Sequence, residues 1–410
     1  MDFHKLSRNE LVAECKKANV KGHSGKKKEE LIQLLTNTPA RIEHVPNEQT
    51  QKQQKQQKQQ KQKDLCRLNY IGSKFLLLDW LKQSFLEKTG LPSFESVRFA
   101  DLFAGTGVVS HFLRQQKAIT ISNDAEIYSS VITHALACSS YSGTLQAIIT
   151  SMNTEVTERK HIVGEPGFIT RKYSPHDTNE RMFFTKENAQ RIDYIRKRIE
   201  ERTDLSENDQ KFLLASLILS ADAVSNVPAV YGCYLKKFKT KATKDLVLQP
   251  IHTYSVTPHK DSQNYHSNVL SNELVNAVNA DIVYLDPPYN ERQYSKNYFP
   301  LNMIALSPNR VEQEELKGKT GIPGSCFMSP FCKKDQVEGA FRTLFQKLKT
   351  KWIFVSYNSE SLLKKEAMLK LMSEFGEASV IEREYKRFKA YEYNQDVKIQ
   401  EYLFALRVQR

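Results

Sequence analysis

Six cysteines occur in 410 residues, with no Cys-x-x-Cys pair and no cluster of histidines, so a structural zinc site or a disulfide framework is not expected. Cys326 and Cys332 are the nearest pair, and packing or loop thiols suit them better than metal ligation. Long apolar runs are also missing. No stretch approaches a membrane span, and the N-terminus lacks the apolar core of a signal peptide, so a soluble, intracellular chain without a membrane partner is expected. Acidic residues are in deficit: 60 Lys and Arg against 47 Asp and Glu give a net charge of +13. The pI near 9.2 favours a polyanionic partner without separating DNA, RNA and an anionic membrane surface. With 40% hydrophobic and 26% charged residues, the chain can build one large or two modest globular domains.

The stretch that organises the rest is Asp281-Ile282-Val283-Tyr284-Leu285-Asp286-Pro287-Pro288-Tyr289-Asn290. Ile282 to Leu285 read as a short buried strand. Pro287 and Pro288 cannot donate to a ladder, so the strand stops at Asp286. A carboxylate, carbonyls without local partners and the Tyr289 ring then share a strand's carboxyl end, where open α/β sheets bind ligands. Such a group can accept hydrogen bonds from a planar amine and stack a ring. A polar turn closing a strand is the plainer alternative. Upstream, Val97 to Gly107 runs from a strand into a glycine turn: Asp101 ends the strand, and Phe103, Gly105 and Gly107 follow before a helix opening at Val108. A second strand ends at Asp124, whose carboxylate can accept both hydroxyl protons of a ribose. A dinucleotide site predicts the same geometry but not Asp-Pro-Pro-Tyr downstream.

The N-terminal 38 residues read as two short helices, the first with a capping box from Ser7 and Glu10. Lys26 and Lys27 belong to a cluster of lysines around the break between them. Residues 39–66 form a Lys/Gln-rich linker with no apolar face, expected to be a mobile tether. The segment Val230 to Lys239 interleaves aromatics with Lys236, Lys237 and Lys239. It suits a nucleic-acid surface, or else a solvated β-hairpin with a basic face. Residues from Gly318 to Pro330, rich in Gly, Pro and Ser, read as a mobile loop.

Asp286-Pro287-Pro288-Tyr289, with Asn290 to Tyr294 and Asn297-Tyr298 beyond it, resembles the catalytic loop of Dam-like adenine-N6 DNA methyltransferases of the type II restriction-modification kind. Further blocks resemble that family in the same order, from Asn69-Tyr70-Ile71-Gly72-Ser73-Lys74 through the glycine turn and the long insert to Ser356-Tyr357-Asn358 and the final strand. Residues 1–38 resemble a SAP module, a small helical DNA-binding unit, through Leu6, Glu10, Leu11, Cys15, Gly25, Lys27, Leu31, Ile32 and Leu35. The spacing from Gly25 to Leu31 is a residue longer than usual. The resemblance implies a Rossmann-like α/β methyltransferase domain over residues 67–410, with a target-recognition region at about 150–265, behind a SAP-like module and a linker. It implies S-adenosylmethionine as cofactor, held by Tyr70, Lys74, Asp101, Phe103, Gly105, Gly107, Asp124, Asn268 and Asp286, and no metal. Asn268 stands where relatives often carry an acid. Catalysis would rest on Asp286, Pro287, Pro288 and Tyr289. Double-stranded DNA would be contacted by Lys26, Lys27, Lys236, Lys237, Lys239, Arg292, Tyr294 and Arg387, at a short site for which an ATG-containing sequence is allowed. A separate restriction endonuclease would share the site. An RNA adenine-N6 or DNA cytosine-N4 methyltransferase, and a non-catalytic DNA-binding scaffold of the same fold, are the alternatives. Intact Gly105, Gly107, Asp124 and Asp286 argue against the scaffold.

Overall fold

A computed structural model describes residues 3–17, 25–36, 68, 70–251, 256–386 and 398–409. The chain divides into two units, Met1–Lys63 and Asp64–Arg410. In the first, α1 (Arg8–Lys17) and α2 (Lys28–Thr36) pack through Leu11, Cys15, Leu31, Ile32 and Leu35. The expected capping box is present: Glu10 N–H donates to Ser7 Oγ (3.3 Å), and the Glu10 carboxylate accepts from Ser7 N–H (2.7 Å). The expected linker and the domain start at Arg67 lie outside the described residues.

The second unit is built on a seven-stranded sheet. Its strands in chain order are β1 (Arg98–Asp101), β2 (Ile119–Asp124), β3 (Gln263–His266) and β4 (Ile282–Leu285), then β7 (Trp352–Asn358), β8 (Gly376–Lys386) and β9 (Lys398–Val408). The spatial order is β3-β2-β1-β4-β7-β9-β8. The first five strands are parallel, whereas β9 runs antiparallel to β7 and to β8. Between β4 and β7, β5 (Leu316–Lys317) and β6 (Ile322–Pro323) form a separate hairpin.

Helices α3 (Leu78–Thr89) and α4 (Val108–Gln115) come before β2. Between β2 and β3 lie α5 (Ile127–Ala137), α6 (Gly143–Thr157), α7 (Phe168–Tyr173), α8 (Lys186–Glu200) and α9 (Glu207–Ala223). Next come α10 (Asn272–Ala277) before β4, α11 (Tyr294–Ala305) and α12 (Pro308–Val311) after it, and α13 (Val337–Lys347) and α14 (Lys365–Ser373) on either side of β7.

Period-two burial explains the layers. Phe99, Ile282, Tyr284 and Phe354 face α3 and α4 in one cluster, where the Phe85 ring meets Phe99, Tyr284 and Phe354 edge-on at 4.8–5.5 Å. Ala100, Val283, Leu285, Ile353 and Val355 face the other way, against Leu274, Phe341, Leu344 and Met368. The insert has its own core. Thr185 and Ser206 cap α8 and α9 by accepting from Asn188 N–H and Asp209 N–H, and α9 is buried from Phe212 to Asp222.

Helix α11, whose Leu301, Met303 and Ile304 pack in the core shared with the insert, is tied to the end of β2 by a buried carboxylate. Glu126, two residues past the end of β2, accepts hydrogen bonds from Ser295 Oγ and, at 2.7 Å, from Asn302 Nδ2, both on α11. Burial pushes its pKa up from 4.5 to about 7, and the two donors only partly offset this. The folded protein therefore holds this proton where the unfolded chain releases it. The group's stabilising contribution is complete below pH 4.5 and is lost as pH rises through about 7. Urea unfolding of wild type and Glu126→Gln across this range should show the stability difference moving in favour of the glutamine variant as pH rises, by up to about 3 kcal/mol between pH 5 and 8. A pH-independent difference would mean that Glu126 is ionised throughout.

Candidate active site

The site lies where β1 and β4, adjacent and parallel, both end. After β1 the chain turns through Gly105 (φ +54°) and Gly107 (φ +72°), left-handed conformations that favour glycine. Space is equally restrictive: a Cβ on Gly105 would lie 3.0 Å from the Tyr70 ring, and one on Gly107 2.9 Å from Thr133 Oγ1. At the end of β2, Asp124 ties this turn down, Oδ2 accepting from Gly105 N–H (2.8 Å) and Oδ1 from Glu126 N–H (2.9 Å). Asp101 is buried. Ser110 Oγ donates to its Oδ2 (2.8 Å), while its Oδ1 and Asn123 Oδ1 are buried without a partner among the described residues. Burial, and then the nearness of Asp286 and Asp124, hold the Asp101 carboxyl up at about 7.

At the end of β4, Asp286 Oδ1 takes two partners: the Lys74 ammonium at 2.8 Å and the Tyr289 hydroxyl at 3.0 Å. Lys74 is only 4% exposed. It also donates to Gly72 O (2.9 Å) and stands 4.8 Å over the Tyr289 ring. Burial raises the Asp286 pKa, and Lys74 opposes the rise. Among the described residues no hydrogen bond reaches the Pro287 carbonyl; Pro287 is buried and Pro288 half-buried. The Tyr289 ring packs edge-on against Tyr357 at 5.1 Å. Phe103 meets Phe331 edge-on at the same separation. Asn268 is exposed beyond the end of β3, its side chain accepting from Leu270 N–H (3.1 Å).

Three groups were not singled out in the sequence. Glu126 is one. Glu401, on β9 and 7% exposed, is another: burial raises it to about 7 against the pull of Lys74. The third is a staple on the Tyr70 turn. Ile71 N–H donates to the Tyr298 hydroxyl (2.9 Å), and Ile71 O accepts from the Tyr294 hydroxyl (3.0 Å). The Tyr70 ring stacks on Tyr298, with centroids 4.8 Å apart. Helix α11 reaches this position by bending at Tyr298 (φ −133°, ψ 15°), two residues before Pro300.

The expected DNA contacts separate into groups. Lys236, Lys237 and Arg292 are exposed, as is Lys27, while Lys26 is half-buried and 3.4 Å from Glu30. Tyr294 instead turns its hydroxyl inward to Ile71. Lys239 is half-buried, donates to Val227 O, and has its pKa lowered by burial. The segment around it is not a β-hairpin. Buried Asn226 shapes it as a loop, donating to Met182 O and Leu235 O (both 3.0 Å) and accepting from Lys239 N–H (3.1 Å). Arg387 lies outside the described residues. The segment expected to be a mobile loop from Gly318 contains the β6 strand and is docked on the insert: Tyr173 donates to Gly321 O (2.9 Å) and Arg181 Nε to Lys319 O (3.1 Å). Among the described residues no three His, Cys, Asp or Glu side chains are grouped to hold a metal, and no helix is long and apolar enough to cross a membrane.

Residues 70–371 match the family model described as D12 class N6 adenine-specific DNA methyltransferase. The chain is 41% identical to Type II methyltransferase M.CviAII of Paramecium bursaria Chlorella virus 1, over 84% of this chain and 99% of that protein. It is 36% identical to Type II methyltransferase M.NlaIII of Neisseria lactamica, over 79% of this chain and 93% of the other. Type II methyltransferase M.FokI of Planomicrobium okeanokoites is 31% identical over 83% of this chain, which spans 52% of that longer protein. No solved structure matches. A family match over most of the length, with relatives aligned nearly end to end, shows that the chain belongs to the D12 class N6 adenine-specific DNA methyltransferase family.

Proposed function

We propose that, within this adenine-N6 DNA methyltransferase activity, Asp286 and the Pro287 carbonyl receive the two amine hydrogens of an adenine turned out of the duplex. The observation that carries this is that Asp286 and the glycine turn tied down by Asp124 follow the ends of the neighbouring parallel strands β4 and β1. Adenine's exocyclic amine is a poor nucleophile because its lone pair is delocalised into the ring. Two fixed acceptors favour a pyramidal nitrogen and free that pair. Lys74 and Tyr289 both bond Oδ1 of Asp286, a geometry that keeps the carboxylate oriented and directs Oδ2 to the amine. The proton departs after transfer, when the amine has become acidic. A paired base cannot reach this depth, so flipping is required, with Tyr289 as the stacking surface.

S-adenosylmethionine fits the donor set beside Asp286: the tight cradle at Gly105 and Gly107, the Tyr70 ring over it, and the unpartnered oxygens of Asp101 and Asn123. Asp124 would hold the ribose, while Lys74 would hold the carboxylate end. Phe103 and Asn268 would border the adenine. When bound, the cofactor supplies a methyl group on a positively charged sulfonium, an electrophile that needs no metal. The excess of carboxylates around one ammonium suits that positive charge. Relatives carrying type II names support a role as the modification half of a pair whose nuclease is a separate protein. The basic helical module at residues 1–38 would act as a tether to duplex DNA through Lys26 and Lys27, and Lys236, Lys237 and Arg292 would meet phosphates around the site.

Three outcomes test these assignments. Asp286→Ala, and the more conservative Asp286→Asn, should lower methyl transfer by about 10²–10³-fold or more. Calorimetry should find S-adenosylmethionine affinity within a few-fold of wild type; normal turnover would remove Asp286 from the chemistry. Asp124→Ala should weaken cofactor binding by about 1–3 kcal/mol, the scale of lost hydrogen bonds to a charged group. Unchanged affinity would leave Asp124 as a support for the glycine turn alone. Deleting residues 1–63 should weaken binding to long duplexes and flatten the salt dependence of affinity, without altering the methylated sequence or saturating turnover. A changed sequence with an unchanged salt slope would make the module a specificity element.

A further inference from the structure

Large apolar side chains exposed to water are few among the described residues, and Met328, 43% exposed, is set apart by how its loop is held. The buried Gln293 side chain accepts from Ser329 N–H (2.8 Å) and donates to Ser329 O (3.2 Å), fixing the residue next to Met328. Cys332 Sγ donates to Arg292 O (3.3 Å). The Phe331 ring packs edge-on against Phe103, two residues before Gly105. The loop carrying Met328 is thus fastened both to the continuation of the catalytic turn and to the glycine turn. Beside it lies an open groove of about 620 Å³ lined by Met328, Lys296, Lys333 and Lys334, with Glu291 and Asp335 on the same lining.

We propose that Met328 is a wedge that enters the base stack of duplex DNA and fills the place left by the flipped adenine. Lys296, Lys333 and Lys334 hold the flanking phosphates. Taking a base out of the stack costs free energy, and an inserted apolar side chain offsets part of that cost by covering the exposed neighbours. Methionine suits the task because it is long, unbranched and polarizable, and stacks against aromatic rings. A rigidly anchored loop matters as well, since a wedge on a slack loop would fold back on the protein instead of entering DNA. Glu291 and Asp335 provide acceptors for base-edge amines in the groove. The inference rests on the adenine-N6 DNA reading above, base flipping included.

The test compares full-length wild type, Met328→Ala and Met328→Leu on a duplex that the wild type methylates, and on the same duplex with an abasic site opposite the target adenine. The abasic partner removes the pairing that flipping must break. Met328→Ala should lose about tenfold or more in turnover on the paired duplex and recover most of it on the abasic one. Met328→Leu should stay within a few-fold of wild type on both, and S-adenosylmethionine affinity should be unchanged in all three. With 2-aminopurine at the target position, the rise in fluorescence on binding should be smaller for Met328→Ala. An equal loss on both duplexes, or no loss on either, overturns the wedge. Methylation of DNA by wild type is the separate control on the underlying activity, so failure of the wedge is distinguishable from failure of that activity.

Discussion

The ion pair between Lys74 and Asp286 is the constraint on which the site depends. Both charges are withdrawn from water, which is costly unless each is paired and further hydrogen-bonded. Lys74 satisfies this through Asp286, Gly72 O and the face of Tyr289. Asp286 satisfies it through Lys74 and Tyr289. The pair joins a turn near residue 70 to a loop more than two hundred residues later, so neither can shift without exposing an uncompensated charge. It also sets the electrostatic character of the pocket. Asp101, Asp124 and Asp286 converge there, and Glu401 faces the same ammonium from β9. Acid outnumbers base, which favours protons and cationic ligands, and burial accordingly raises the pKa of each of these carboxylates.

Helix α11 carries the second constraint. Its first turns present Tyr294 and Tyr298 to the backbone of Ile71, and Ser295 and Asn302 to Glu126. One bent helix therefore touches the Tyr70 turn, the end of β2 and, through the preceding loop, Asp286. These contacts make the Tyr70 turn, the end of β2 and the start of α11 one packed unit. The Tyr231 N–H bond to Asn297 O (2.8 Å) extends the same connection into the insert.

Much of the site was legible because it is written locally. A carboxylate at the end of an apolar run marks β1, β2 and β4, and the two prolines after Asp286 stop β4 where expected. Glycine at 105 and 107 follows from positive φ, and the Ser7–Glu10 box was readable from spacing alone. What was not legible depends on partners far away in the chain. Glu126 meets Ser295 across 169 residues, and Ile71 meets Tyr298 across 227. Neither pairing leaves a local signature. For Val230 to Lys239 the hairpin alternative fails because buried Asn226 claims Leu235 O and Lys239 N–H, backbone groups that a ladder would need. Tyr294, expected from the family resemblance to meet DNA, instead donates its hydroxyl to Ile71 O, a partner 223 residues away that no local pattern signals.

The central strand pairing also has a consequence in time. β1 is made early but has β4 as a neighbour, and Arg98 N–H waits for the Asp281 carboxylate 183 residues later. β7 then takes its antiparallel partner, β9, only after residue 398 has been made. At ordinary rates of synthesis the interval between β1 and β4 is roughly 10–40 s, during which the glycine turn exists without Asp286. Contacts this distant in sequence close slowly and late. Until Asp281 arrives, Arg98 N–H lacks its carboxylate partner and β1 lacks one of its two neighbours in the sheet.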